Sequence, residues 1–317
     1  MADNTFNPFV LVTGASTGIG RSCAIRLARS GYRVIATVRN EQDFRSIGSA
    51  VHESAHRIRA VMLDVAEPAS IAAATAFIEH ILDGEGLYAL INNAGICVVG
   101  PCESVGLADW KRQFDVNLFG MIAVTQAMLP FLRTFTSQNA STSARIVNIS
   151  SVTASVPTPV FGAYCASKAA VDSFSSTLRR ELYDQDVRVS TIIPGTIQSE
   201  IWRKEKSGVA ALAGRPDCRR LYGRLIDSVS RYVFRAAEKA KPADEVAIAV
   251  ERCLTRKVPP IYTLVAWEAY AGVFANRFLP ARLLDFLIRK SFGLGKPPPL
   301  EQVEEIDTED QSLGASH

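Results

Sequence analysis

The feature that most limits what this chain can become lies near its start. There an apolar run, Phe9 to Thr13, passes straight into Thr13-Gly14-Ala15-Ser16-Thr17-Gly18-Ile19-Gly20 and then into a helical pattern. A buried strand, a glycine-rich turn and a helix N-terminus in succession aim backbone amides at a common space, and glycine lets an anion approach them closely. The arrangement predicts a pyrophosphate site opening a βαβ unit, although a tight strand-to-helix turn with no ligand shares the local pattern. Such a unit needs parallel neighbours. Near-continuous apolar runs at Arg33 to Val38, Arg59 to Leu63, Tyr88 to Asn92, Arg145 to Ile149 and Arg188 to Ile193 read as strands covered on both faces. Between them Gly20 to Ser30, Pro68 to Leu82, Ala108 to Phe135 and Ala163 to Tyr183 read as helices, and Pro260 to Val265 as a closing strand. The alternation predicts one α/β domain over 1–292, a doubly wound parallel sheet with helices on both faces.

Two stretches depart from it. Residues 198–241 form a basic, loosely amphipathic insertion after the sixth strand, and segments leaving the carboxyl ends of parallel strands border the ligand crevice. They are expected to form a helical substrate lid. Residues 266–292 are apolar and helical, with Arg277, Arg282, Arg289 and Lys290 interspersed, and are expected as a C-terminal helical extension. From Gly293 the chain turns proline-rich and then acidic, so 293–317 is expected to be a disordered tail.

Composition narrows the function classes. Of 317 residues, 48% are hydrophobic, enough to build a core, and a net charge of +3 is too small and evenly spread to make nucleic acid the main partner. The start, MADNTFNPFVLVTG, lacks the basic and then apolar pattern of a signal peptide, which implies a cytoplasmic protein. No apolar run reaches the roughly 18 residues of a membrane span. Six cysteines are scattered, and only Cys97 and Cys102 lie close together, with no histidine near them; neither a disulfide nor a metal is expected.

Other motifs stand at fixed places along the alternation. Asn92-Asn93-Ala94-Gly95 follows the fourth strand, Asn117 lies in a helix, Ser151 follows the fifth strand, Tyr164-Cys165-Ala166-Ser167-Lys168 opens the next helix, and Pro194-Gly195 ends the sixth strand. With the Thr-Gly-x-x-x-Gly-Ile-Gly turn, this order resembles the short-chain dehydrogenase/reductase family from about Phe9 to Ser199, closest in pattern to its hydroxysteroid and retinol dehydrogenase branch. The resemblance implies a Rossmann-type fold and a nicotinamide cofactor. It assigns cofactor contacts to Gly14, Ser16, Thr17, Gly18, Ile19, Gly20, Asn93, Ala94, Gly95, Pro194, Gly195, Thr196 and Ile197, together with Tyr164 and Lys168. It adds Asp64 and Val65 at the adenine ring, but locally Asp64 reads equally well as a turn acid.

Cofactor type turns on the end of the second strand. Arg39 stands there, about 20 residues past the glycine turn, where a cation meets the 2′-phosphate of NADP(H) and a carboxylate would serve the ribose of NAD. Glu41 is near enough to keep the NAD alternative open.

Tyr164 and Lys168 are one helical turn apart, so both project from one face. A phenol with a pKa of about 10 is a poor base, and an adjacent ammonium favours its ionised form. By itself this pair arises by chance in many helices. The family's spacing selects Ser151, rather than Ser150, as the group that holds the substrate oxygen, and gives Asn117 the task of linking Lys168 to solvent through a water on its carbonyl or side chain. Ile201, Trp202, Val209, Leu212, Leu221, Tyr222, Tyr232 and Phe234 of the lid, with Val156, Val160 and Phe161, either wall an apolar pocket or pack in the core. A bulky apolar ketone, aldehyde or alcohol is the expected substrate. A non-catalytic NADP(H)-binding regulator and an NAD-dependent alcohol dehydrogenase are the alternatives. Family membership also implies a homodimer or homotetramer through the helices of Asn117 and Tyr164. For the helix ending near Phe292, pocket cover or subunit contact is preferred to membrane-surface contact.

Overall fold

The computed structural model describes residues 7–43, 57–198 and 214–294. Ile201, Trp202, Val209, Leu212 and nearly all of the tail lie outside the described residues.

Seven strands, β1 (Phe9–Val12), β2 (Arg33–Val38), β3 (Ile58–Met62), β4 (Leu87–Asn92), β5 (Ala144–Ile149), β6 (Val187–Pro194) and β7 (Tyr262–Val265), form one sheet in the order β3-β2-β1-β4-β5-β6-β7. Every pairing is parallel. The central strands are buried along their whole length, whereas the edge strands β3 and β7 keep exposed positions. This is the expected Rossmann-type architecture: helices on both faces demand apolar residues on both sides of each inner strand. Chain order reverses at β1, which pairs with both β2 and β4. In an open parallel sheet that reversal leaves a crevice at the carboxyl ends, and the glycine turn stands there.

Among the described residues the helices are α1 (Gly18–Arg29), α2 (Pro68–Leu82), α3 (Leu107–Phe114), α4 (Gly120–Gln138), α5 (Gly162–Glu181), α6 (Pro216–Lys239), α7 (Ala243–Thr255), α8 (Trp267–Phe278) and α9 (Ala281–Ser291). Helices α1 and α7 pack together on one face, held at the rim by Arg26, which pairs with Glu251 at 2.7 Å and Asp244 at 3.1 Å. On the other face α2 packs on α4 and α3 on α5.

Two expectations are corrected. The stretch from Ala108 to Phe135 is not one regular α-helix: a π-helical segment, Asp115–Phe119, joins α3 to α4. The extra residue in that turn rotates Asn117 inward until it is wholly buried, and Gly120 then lies so close to β3's exit that a Cβ would fall 2.4 Å from the Val65 carbonyl oxygen. The apolar stretch after β7 is likewise two helices, broken at Leu279-Pro280, because the residue before a proline is driven out of the α region. The continuous helical run Leu107–Gln138 is long and apolar enough to cross a membrane. Its buried side chains, Met121, Val124, Met128, Leu132 and Phe135, belong to the core.

Candidate active site

The glycine turn is built by close approach. Gly14 and Gly18 have φ of +64° and +54°, which an L side chain rarely adopts. A Cβ on Gly20 would lie 2.3 Å from the Gly14 carbonyl oxygen and 2.5 Å from Asn93 Nδ2. The turn is tied down from two strands. Ala15 N donates to Thr37 O at 2.8 Å, while Asn93 Nδ2 donates to the carbonyls of Thr13 (2.9 Å) and Gly14 (3.1 Å). Thr13 Oγ1 in turn accepts from the amides of Asn93 and Ala94. The amide of Asn93 is therefore spent on shaping the cradle. Thr17 caps α1 with extended backbone and no side-chain cap bond.

From this turn runs a groove of about 400 Å³, lined by Gly14, Ser16, Thr17, Gly18, Ile19, Arg39, Val65, Asn93, Ala94 and Gly95. Gly20 shapes the floor without lining it. Asp64 does not line the groove either: its carboxylate accepts from the Ala66 amide at 3.0 Å, the turn-acid role. Leu63, Ile96, Cys97, Arg112 and Val116 complete the wall, and the sequence reading missed them. Arg112 was legible only as a cation one helical turn and one residue before Asn117.

The groove continues past Ile19, Asn93 and Gly95 into a cavity of about 250 Å³ at the carboxyl ends of β5 and β6. Ser151, Tyr164, Lys168, Pro194, Gly195, Thr196 and Ile197 all line it. Larger hollows, of about 620 and 800 Å³, hold none of these residues; the second lies at the amino ends of β5 and β6, away from the crevice. Val160, at φ +73°, is a β-branched residue in the left-handed region just ahead of α5, and the Gly100 amide fixes it by donating to its carbonyl at 2.8 Å. Backbone strain of this kind collects where a site must be held in one shape.

The two adjacent serines separate cleanly. Ser150 turns its hydroxyl toward the Lys168 carbonyl and Asp172. Ser151 Oγ accepts from Thr153 N at 3.2 Å and Thr153 Oγ1 at 2.9 Å, which leaves its own hydrogen to be donated. Lys168 Nζ donates to Ile149 O at 2.8 Å and sits 5.8 Å from the Tyr164 ring centre. Burial lowers its pKa to about 8, partly offset by Asp172 one turn further on; burial in turn raises the Asp172 carboxyl.

Asn117 departs from the expected geometry. Its Oδ1 accepts from Ile96 N at 2.8 Å, and its Nδ2 donates to Ile96 O at 3.0 Å and Ser167 Oγ at 3.1 Å. The side chain is committed to the loop after Gly95, so of the two groups expected to hold a water only the main-chain carbonyl is left. Gln113, one turn earlier and also buried, pins the same loop by accepting from Val98 N at 2.7 Å and donating to Ile96 O at 2.8 Å.

Of the lid residues, Tyr232 and Val233 line the cavity, as do Val156 and Phe161. Tyr222 and Val160 belong to the small core beneath α6, and Leu221 and Phe234 are exposed. Helix α8 contributes Glu268 and Gly272. Among the described residues Glu268 Oε2, at the cavity wall, is buried without a hydrogen-bond partner.

Residues 8–210, which carry the glycine cradle and the Ser-Tyr-Lys cluster, match the family described as short chain dehydrogenase. The chain belongs to that family. Among curated relatives of this short-chain dehydrogenase, the NADPH-dependent 3-dehydrocapnine reductase of Ornithobacterium rhinotracheale is 29% identical over 89% of this chain and 96% of its own. Retinol dehydrogenase 16 of Mus musculus is 32% identical over 88% and 87%. A short-chain dehydrogenase from Streptomyces avermitilis shares the fold with a TM-score of 0.70 at 22% identity, covering 93% of this chain and 100% of that one. This short-chain dehydrogenase is thus an oxidoreductase of a family that uses nicotinamide cofactors, and the retinol relative lies in the branch that the motif pattern resembles. The cradle fits such a cofactor: Gly14, Ser16, Thr17 and Gly18 line the groove at the start of α1, and the turn closes this tightly only because a Cβ at Gly14 or Gly20 is absent from its contacts with Ala94 and the Gly14 carbonyl.

Proposed function

We propose that this chain is a cytoplasmic NADP(H)-dependent reductase or dehydrogenase acting on a bulky apolar carbonyl or secondary or primary alcohol. The observation that carries the chemistry is the convergence of Ser151, Tyr164 and Lys168 on one cavity continuous with the glycine groove. The cofactor, when bound, supplies or accepts the hydride. Ser151, its oxygen already accepting twice from Thr153, donates to the substrate oxygen and stabilises the charge that develops there. Tyr164 gives that oxygen its proton in reduction, or takes one in oxidation. The Lys168 ammonium beside the ring favours the phenolate left behind. Removing the phenol while keeping the ring tests this: Tyr164→Phe should lose about 10²-fold or more in turnover and still bind NADPH. Retained turnover would overturn the scheme.

NADP(H) is favoured because the described groove lining includes Arg39 and Arg112 and no carboxylate; Glu41 is absent from it. Arg39→Asp should weaken NADPH about ten-fold or more while NADH changes little, since a charge-assisted phosphate contact is lost. Equal effects would favour the NAD-dependent alternative. A non-catalytic NADP(H)-binding protein would have no need for the complete Ser151, Tyr164 and Lys168 set. The apolar walls, Ile149, Val152, Val156, Phe161 and Val233, support a steroid-, retinoid- or lipid-like substrate. A screen of NADPH oxidation against apolar ketones and aldehydes, with Tyr164→Phe as control, identifies it. The assembly is a homodimer or homotetramer through α4 and α5, and a sedimentation measurement finding only monomer would remove that part.

A further inference from the structure

We propose that the hollow at the amino ends of β5 and β6, at the far end of the sheet from the catalytic crevice, binds a compact anion carrying several phosphate groups. The hollow measures about 800 Å³, and its wall carries Arg145, Arg179, Arg188, Arg256 and Lys257. Small-molecule sites span about 300–1,000 Å³, so the size suits one such ligand. No Asp or Glu stands in that wall among the described residues. Positive charges gathered round one space repel each other unless something negative lies between them.

Arg145 shows the imbalance most sharply. It stands at the start of β5 and is only 4% exposed. Its hydrogen bonds run to neutral carbonyls, from Nη1 to Ser143 at 2.9 Å and from Nη2 to Arg256 at 3.3 Å, and its Nε has no partner. A buried guanidinium held by neutral groups alone is costly, because dipoles replace its water but do not cancel its charge. Arg179, in the last turn of α5, likewise has a buried Nε without a partner. Both orphaned donors belong to residues of this one wall.

Local compensation is partial. Helices α5 and α7 end close to the hollow, and Asp186 pairs with Arg188 at 2.9 Å. With each helix end equivalent to about half a negative charge, about three of the five positive charges remain uncompensated. The nearby rings are already engaged: Tyr183 lies 4.7 Å from the Arg188 guanidinium, and Tyr88 lies between Arg145 and a stacked Tyr32. Charge, rather than a stacked base, is therefore what the hollow recognises. Arginine forks grip phosphate oxygens in pairs, and Ser141 and Thr142 add hydroxyls. Binding here is independent of the catalytic reading.

Calorimetric titration of the full chain, saturated with NADPH so that the glycine groove is filled, tests the site with inorganic triphosphate at low salt. Saturable binding is expected, weakening as salt is added, with a rise in the unfolding midpoint. Arg256 and Lys257 are exposed, and Arg145 holds only the main-chain carbonyl of Arg256, so both side chains can be reversed without disturbing the buried cation. Arg256→Glu with Lys257→Glu should weaken triphosphate about ten-fold or more and abolish the rise in midpoint. Arg277→Glu with Arg282→Glu, on α8 and α9 outside this wall, changes the net charge equally and should keep both. Fructose bisphosphate is the second probe: tighter binding than triphosphate identifies a phosphate ester as the ligand, and weaker binding a polyphosphate chain. Absence of binding by either probe would overturn the proposal. So would equal losses in the two charge-reversed variants, which would reduce the effect to general attraction by a basic chain. Binding that vanishes when NADPH is present would place the anion in the glycine groove instead and overturn it as well.

Discussion

A single methyl group at position 20 would collide with the Gly14 carbonyl 2.3 Å away, and neither backbone can yield without deforming the cradle. Gly20→Ala is therefore expected to destabilise the fold by about 1–3 kcal/mol and to abolish measurable NADPH binding, read by thermal unfolding and fluorescence titration. Binding at parental affinity would show that the turn has more room than its geometry allows. Lys168 gives a second expectation. Its pKa is about 8 in the folded chain against an ordinary 10.5, so between those values the unfolded chain holds more protons and stability rises with pH. In the cofactor-free protein the unfolding midpoint should rise across that window relative to Lys168→Met, whose curve lacks this contribution. Parallel curves would place the ammonium in contact with water. At this scale the motif positions were legible in the sequence, but not the directions in which the side chains point. Asn93 and Asn117 stand where they were expected and spend their amides on backbone groups, and Asp64 closes a turn. Spacing locates a residue; only the surrounding chain decides which neighbour takes its hydrogen bonds.

At the scale of elements, apolar periodicity locates strands and helices because burial imposes it, and Pro68–Leu82 and Arg33–Val38 begin and end where the pattern does. Periodicity does not reveal one extra residue in a turn, which is why the π segment went unseen. That segment and the last turn of α3 together point Gln113 and Asn117 at the loop after Gly95. Gln113→Leu would strand the Val98 amide in a buried place, at a cost of about 1–3 kcal/mol. The unfolding midpoint should fall by about 2–4 °C for each of those kcal/mol. NADPH affinity should also fall, because Gly95, Ile96 and Cys97 line the groove. An unchanged midpoint would mean that Asn117 alone holds the loop. The signal for Gln113 was present in the sequence as a second amide one turn before Asn117, but an isolated glutamine in a helix carries no weight until the helix's inner face is known.

Across the whole molecule the two halves of the site come from different parts of the chain. Every described residue lining the groove lies between Gly14 and Val116, whereas the cavity's outer wall, Tyr232, Val233, Glu268 and Gly272, comes from α6 and α8. Cofactor choice and substrate choice should therefore vary independently. Gly272 gives the sharpest test. A Cβ there would lie 2.7 Å from Val152 Cγ2 and 3.4 Å from Val156 Cγ2, so a larger side chain must displace these two cavity-lining residues or itself take up cavity space. Gly272→Val should raise KM for a bulky apolar carbonyl by about ten-fold or more, the range expected when a methylene-sized piece of an apolar pocket is lost. A small aldehyde should be turned over nearly as before, and NADPH affinity should not move, since α8 contributes nothing to the groove. The comparison needs steady-state kinetics on both substrates and a cofactor titration. If both substrates suffer alike, the substitution has disturbed Ser151 through Val152 rather than narrowed the cavity; if NADPH affinity falls as well, groove and cavity are coupled through Gly195, which approaches Glu268 closely enough to carry such a shift.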